Sequence, residues 1–173
     1  ASFRLFITAT PHQDFPLGLL QMSTKVTNEP PSGFRAGLMR TYSTLIDQDR
    51  LERIETPLWR KLLFSFSFLH SVVQERRKFG PLGWNIKYEF NDSDLETSLE
   101  MVKMYLDESP TGVPWETVNY MLSEISYGGR VTDDKDVRLI VCILQRYFML
   151  DCAMDDKFML SPLESYYTPP GNP

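Results

Sequence analysis

The chain has 173 residues, 42% of them hydrophobic and 24% charged, with a formal net charge of −5. That size suits one domain, or one domain and a piece of another, and the composition excludes wholesale disorder. Two cysteines are too few for a disulfide scaffold and point to a reducing compartment, no apolar run reaches the roughly 18 residues of a membrane span, and the negative balance argues against general nucleic-acid binding.

The first residues show no basic stretch followed by an apolar one, so no signal peptide is expected. Phe3-Arg-Leu-Phe-Ile-Thr8 alternates partly at period two and meets Pro11, as a strand ending in a turn would. A single strand needs partners, so it belongs to a sheet completed by other residues or is irregular here. Residues 11–34 are rich in proline and glycine, with a short apolar helix or turn around Leu17–Met22. From Gly33 to Leu45, the positions Phe34, Leu38, Tyr42 and Leu45 fall on one helical face.

Thr56-Pro57 supplies an N-cap and an N1 proline for a helix expected to run to about Phe79 and to span roughly 35 Å. Leu58, Leu62, Phe66, Leu69 and Val73 form its stripe, and Trp59, Leu63, Phe64, Phe68 and Val72 flank it, so the helix is apolar nearly all round and is the expected buried centre. Gly80-Pro81 stops it, and Trp84 in the connector is expected to fold back under it. Ser93-x-x-Glu96 reads as a capping box for a helix carrying Leu95, Leu99, Val102 and Leu106, ended by Pro110-Thr-Gly112. The next helix starts near Pro114, with Trp115, Val118, Leu122 and Ile125 as its buried side, and stops at Gly128-Gly129. Thr132 or Asp133 caps a last helix from about Asp134 to Leu150, with Val137, Ile140, Val141, Leu144 and Phe148 on its core stripe. Pro162, Pro169 and Pro170 disfavour helix beyond Asp151. Four or five such helices make a compact, mainly α bundle preceded by one strand and a loop.

Charge is unevenly spread. Residues 1–34 balance, residues 35–87 hold ten bases against five acids, and residues 88–173 hold six bases against sixteen acids. Such halves fit either a piece that docks to neighbours or two solvated faces.

Chemistry-bearing motifs are scarce. His12 and His70 are far apart in sequence, and His70, inside an apolar helix, reads as a hydrogen-bonded core histidine. Cys142 and Cys152 flank no histidine cluster and read as packed thiols, not zinc ligands. Asp133, Asp134 and Asp136 lack the glycine and distal glutamate of a calcium loop and read as charges at a helix N-terminus. Gly80-Pro-Leu-Gly83 and Tyr127-Gly-Gly-Arg130 are turns, and no nucleophile elbow, zinc-protease motif or phosphate loop ending in Lys-Ser/Thr occurs.

Longer runs carry a resemblance. Asn28-Glu-Pro-Pro-Ser-Gly-Phe-Arg-Ala-Gly-Leu-Met-Arg-Thr-Tyr42 resembles the signature that closes the large subdomain of the sixth AAA+ module in dynein heavy chains. Trp59-Arg-Lys-Leu-Leu-Phe64 with His70, Glu75-Arg-Arg-Lys-Phe-Gly-Pro-Leu-Gly-Trp-Asn85 and Ser126-Tyr-Gly-Gly-Arg-Val-Thr-Asp133 follow in the same order as in that family. Phe3-Arg-Leu-Phe-Ile-Thr8 is similar to the module's late strand, and Phe15-Pro-Leu-Gly-Leu-Leu-Gln21 to the loop after it. The phrasing leans toward axonemal dyneins.

The resemblance implies a fragment of a large motor. Residues 1–45 would end the large subdomain, 46–160 would be the helical lid, and 161–173 would lead toward the C-terminal region. It implies a non-catalytic mechanical module in the ring of an ATP-driven, minus-end-directed microtubule motor, with ATP and Mg²⁺ in other modules. The implied partners are neighbouring AAA+ modules and the C-terminal region of the same chain, with microtubules and intermediate and light chains through the parent. The implied location is the cytoskeleton, in the axoneme of a cilium or flagellum, with no nucleic acid and no membrane as partner.

Thr8 and Thr10 stand where active modules place a polar residue beside the attacking water, and read here as strand-end threonines. Arg35 or Arg40 could reach a neighbouring module as an arginine finger, against the plainer reading of a structural salt bridge. Arg76-Arg77-Lys78 complements a helix C-terminus and is also a candidate contact outside the bundle. The resemblance carries over no catalytic, cofactor-binding or metal-binding residue. The competing class is an independent helical adaptor that binds a protein through its basic 35–87 face.

Overall fold

The computed structural model describes residues 3–10, 12–26, 32–109, 113–149, 151, 155 and 157–162. The chain divides into two compact units, residues 1–30 and 31–173. In the first, α1 (Leu17–Met22) is the short apolar helix expected there, and none of its residues is buried. Residues 3–10 form neither strand nor helix and are exposed. A strand exists only through its ladder, and residues 3–10 have none, so the single strand expected ahead of the bundle is corrected to irregular chain, the alternative reading of that stretch.

The second unit is the helical bundle. It contains α2 (Phe34–Thr44), α3 (Gln48–Glu52), α4 (Pro57–Arg76), α5 (Asp92–Glu108), α6 (Trp115–Tyr120) and α7 (Asp134–Tyr147). Gly33, at φ 103, turns the chain into α2 and donates its amide to Glu75 Oε1 at 3.3 Å. Helix α3 was not expected. Asp47 caps it by accepting from the amide of Arg50, and Trp59 Nε1 ties its backbone to α4 through Arg50 O at 2.9 Å.

Helix α4 is buried on more than one side, as its composition demanded. Leu62, Phe66, Leu69 and Val73 enter the main core with Leu95, Leu99, Val102, Leu122, Ile140, Leu144 and Phe148. On another side, Phe68 and Leu160 form a second core, against which Phe34, Leu38, Phe64, Val72 and Phe158 pack. At 20 residues the helix is about 30 Å long. It stops earlier than Phe79. The chain tightens at Arg76 into a 3₁₀ turn, Arg77–Leu82, broken by Gly80 at φ 54 ahead of Pro81.

Three other boundaries differ from expectation. The capping box of α5 is Asn91 with Asp94, not Ser93 with Glu96: Asn91 Oδ1 accepts from the Asp94 amide at 3.2 Å, and Asp94 Oδ2 accepts from the Asn91 amide at 2.9 Å. Both pairs fit the short-polar, three-residue, acidic spacing, and the fold uses the earlier one, which starts the helix at Asp92. Helix α6 passes into a π turn at Met121–Ser126, closed by Tyr127 N to Leu122 O at 2.9 Å. Each residue of a π turn rotates through a smaller angle than in an α-helix, so Val118 and Leu122 are buried while Ile125 is 55% exposed. Helix α7 ends at Tyr147, and Leu150 and Pro110–Gly112 lie outside the described residues. Asp133, not Thr132, caps α7 by accepting from the amides of Lys135 and Asp136.

Candidate functional site

The centre of the bundle is a continuous chain of aromatic rings. Trp84 lies 5.7 Å from Phe90, Phe90 stacks on Tyr127 at 5.7 Å, Tyr127 meets Phe66 edge-on at 5.7 Å, Phe66 meets Phe148 at 5.5 Å, and Phe148 meets Trp115 at 5.7 Å. Phe66 comes from α4 and Trp115 from α6. Trp84 and Phe90 come from the connector into α5, Tyr127 follows the π turn, and Phe148 caps α7. Every element after α3 therefore contributes a ring or adjoins one. Close-packed rings shift as a unit and do not deform continuously.

His70 sits beside this chain, fully buried, with Nδ1 2.7 Å from the Tyr127 hydroxyl. Burial raises the pKa of Tyr127 well above the ordinary phenol value, with Asp94 adding to the effect. The phenol thus keeps its proton, and the hydroxyl and Nδ1 of neutral His70 share one hydrogen bond whose direction follows the ring tautomer. Desolvation lowers the His70 pKa from 6.5 to about 4. Asp92 and Asp94 oppose that shift, and Arg40 adds to it. The expected hydrogen-bonded core histidine is what the fold contains.

A more polar seam joins α2 to α4. Gly37 faces Ser71, and a Cβ at Gly37 would stand 3.6 Å from Ser71 Oγ. Thr41 is buried, with its hydroxyl donating to Gly37 O at 3.1 Å. Tyr42 is desolvated, which raises its pKa against the lowering effect of a Ser67 hydrogen bond. Arg40 closes the seam by donating to Asp92 Oδ2 at 2.8 Å.

Part of the uneven charge is spent inside the unit, through Arg40, Arg50, Arg53 and Arg77. Arg50 approaches Glu96 at 3.7 Å and Glu100 at 3.9 Å, Arg53 pairs with Glu100, and Arg77 lies 3.5 Å from Glu89. Arg130 grips the buried Asp94 through Nε at 2.8 Å and Nη2 at 2.7 Å. The exposed pairs among these contribute up to about 1 kcal/mol each, so they fix orientation more than stability.

The residues singled out by sequence fall as follows. Thr8 and Thr10 are exposed in the first unit and end no strand, which corrects their reading as strand-end threonines, and Arg35 is exposed on α2. Arg40 makes the Asp92 salt bridge, one of its two readings. His12 is exposed, and its Nδ1 accepts from the Asp14 amide. Cys142 is exposed, so its reading as a packed thiol is corrected: position 142 faces away from the stripe of Ile140, Ile143 and Leu144. Cys152 lies outside the described residues. The acidic run at α7 serves the fold. The Asp136 carboxylate accepts the amides of Asn85 at 3.1 Å and Ile86 at 3.2 Å, and the Asn85 side chain heads the contacts that lower the pKa of Asp133.

Arg76, Arg77 and Lys78 separate into two roles. Arg76 is built into the bundle: its Nε and Nη2 donate to Gly83 O at 3.2 and 3.0 Å, and its guanidinium lies 5.6 Å over the Trp84 ring. It is not a surface contact, which corrects the grouping of the three. Arg77 and Lys78 are exposed. Trp84 is 2% exposed and donates from Nε1 to Val73 O at 3.1 Å, closing the end of the bundle under α4 as expected. The aromatic chain itself was not foreseen, because its members lie far apart in sequence and no local pattern pairs them.

Comparison with known proteins gives a consistent answer. The family model described as the dynein heavy chain AAA lid domain matches residues 59–173. Dynein axonemal heavy chain 8 of Homo sapiens is 50% identical over 169 residues, which cover 96% of this chain and 4% of the relative. Dynein axonemal heavy chain 5 of Mus musculus is 52% identical over 149 residues, covering 85% and 3%. Dynein axonemal heavy chain 3 of Homo sapiens is 44% identical over 173 residues, covering 98% and 4%. The chain thus spans only a few per cent of the length of these relatives.

Proposed function

The chain belongs to the dynein heavy chain AAA lid family, and from that membership we propose that it is a non-catalytic mechanical module in the AAA+ ring of an axonemal dynein heavy chain. In this reading the parent is an ATP-driven microtubule motor of the axoneme, ATP and Mg²⁺ belong to other modules, and the neighbours are other AAA+ modules and the C-terminal region of the same chain. The observation that carries the reading is the aromatic chain through α4, which packs that helix against the elements that follow it and supports treating them as one stiff body. A stiff body can pass a displacement from one neighbour to the next, whereas a soft one absorbs it. The ion pairs between cations of 35–87 and acids of 88–100 support this reading over an adaptor that binds through the basic face, because those cations already face carboxylates.

The test is to soften the body without touching a nucleotide site. Phe66→Leu in the full motor keeps an apolar side chain but breaks the ring contacts to Tyr127 and Phe148. Basal ATP hydrolysis is expected to persist while microtubule-stimulated turnover and gliding speed fall. Unchanged stimulated turnover and unchanged gliding would count against the mechanical role.

A further inference from the structure

The connector from α4 to α5 is fastened at nearly every turn, yet what it displays is apolar. Gly83 and Trp84 both donate their amides to Gly80 O at 2.9 Å. Gly83 packs so closely on α4 that a Cβ there would stand 1.8 Å from Arg76 O. Arg76 holds Gly83 O, Trp84 Nε1 holds Val73 O, and the buried Asp136 carboxylate holds the amides of Asn85 and Ile86. Fixing a backbone costs conformational entropy. Here that ordering leaves Phe79 65% exposed, Leu82 88% exposed and Ile86 47% exposed. The same stretch carries the exposed cations Arg77, Lys78 and Lys87. Against them stand the well-exposed Glu89, near Arg77, and the half-buried Glu75, which Lys78 engages at 2.6 Å.

We propose that this connector is a docking knob for a protein surface with an apolar cleft and a rim of carboxylates, contributed by another part of the same heavy chain. The proposal rests on the reading of the chain as a module of a larger motor. Three arguments choose the occupant. A loop already fixed in one shape loses little further freedom when its apolar tips are buried, so association is favoured by preorganisation. Arg77 and Lys78 already face Glu89 and Glu75, so the exposed Lys87 is the cation that selects a surface of opposite sign. The relatives are far longer than this chain, which covers 3–4% of them, and a partner on the same polypeptide is held at high effective concentration.

The experiment places the photocrosslinker p-benzoylphenylalanine at position 82 of the purified full-length heavy chain, followed by irradiation, proteolysis and mass spectrometry. Leu82 is already in water, so the substitution leaves the fold intact, and a melt of the substituted motor checks this. The expected product joins residue 82 to a segment of the same heavy chain outside residues 1–173 that contains Asp or Glu near the linked residue. Its yield is expected to fall several-fold in the Lys87→Glu background. Failure to form a protein adduct, or an adduct confined to an associated subunit, would overturn the proposal. A yield that ignores Lys87→Glu would overturn the carboxylate rim. If no adduct forms while Phe66→Leu still uncouples the motor, the docking knob fails and the mechanical reading stands.

Discussion

Truncating Trp84 to Ala is expected to be among the most damaging single changes in the connector, and its neighbour Leu82 supplies the control. The indole is 2% exposed, contacts Tyr88 and Phe90 at ring distances of 5.8 and 5.7 Å, carries the Arg76 guanidinium over its face and donates to Val73 O. Loss of a buried tryptophan side chain costs about 3–5 kcal/mol. For a domain of this size 1 kcal/mol moves the melting midpoint by about 2–4 °C, so a drop of roughly 10–15 °C is expected. Trp84→Phe keeps much of the packing but loses the indole N–H bond, worth about 1 kcal/mol, and should fall in between. Leu82→Ala removes a side chain that is 88% exposed and should stay within about 0.5 kcal/mol of the parent. Far-UV circular dichroism melts of the 173-residue chain, run beside urea titrations, measure all three. A Trp84→Ala midpoint no lower than that of Leu82→Ala would refute the placement of the indole as the closing wedge.

Three further outcomes are expected. His70 has its pKa lowered to about 4 in the fold against 6.5 in the unfolded chain, so the unfolded state binds the proton first. The His70 contribution to stability should therefore fall as pH drops from about 6.5 to about 4, by roughly 3 kcal/mol at most, and be constant below; urea titrations of the parent and His70→Gln across that range should show the extra slope only in the parent. Gly128→Ala would bring a Cβ to 1.8 Å from Ser123 O and should destabilise strongly, whereas Gly129→Ala meets nothing within 4 Å and should be nearly silent, a contrast readable in paired melts. Asn91→Ala should cost about 1 kcal/mol as the true N-cap of α5, and Ser93→Ala much less; equal losses in urea titration would put the cap in the wrong place.

Much of the bundle was legible from local pattern. The Pro57 start and the all-round apolar run of α4 have physics that lies within a turn or two of chain, so sequence reading located them, whereas Thr56 holds the N-cap position without a side-chain bond, the α-helix gives way at Arg76 ahead of Gly80-Pro81, and Asp133 is one of the two caps the sequence allowed. The capping box slipped by two residues because Asn91/Asp94 and Ser93/Glu96 satisfy the same spacing, and the contact that holds Asp94 in place comes from Arg130, far along the chain. Ile125 was misplaced because the helical period assumed a constant angle per residue, while the π turn changes it midway. Arg76 was grouped with Arg77 and Lys78 by adjacency, yet its side chain alone reaches Gly83 and Trp84.

The sequence by itself determined that this is a mainly α chain, which helix is central, and which family it resembles, since period, caps, breakers and long specific runs are all written along one dimension. Tertiary structure decided what those helices do to one another. It drew Trp84, Phe90, Tyr127, Phe66, Phe148 and Trp115 into one chain of rings. It set the cations of residues 40–77 against the acids of residues 89–100. It also buried Asp136 under the connector amides while leaving Leu82 in water. Those outcomes depend on which faces meet once the chain collapses. Partners forty or more residues apart leave no periodic mark in the sequence, because their pairing is fixed by the global fit of volumes and charges, not by any local repeat.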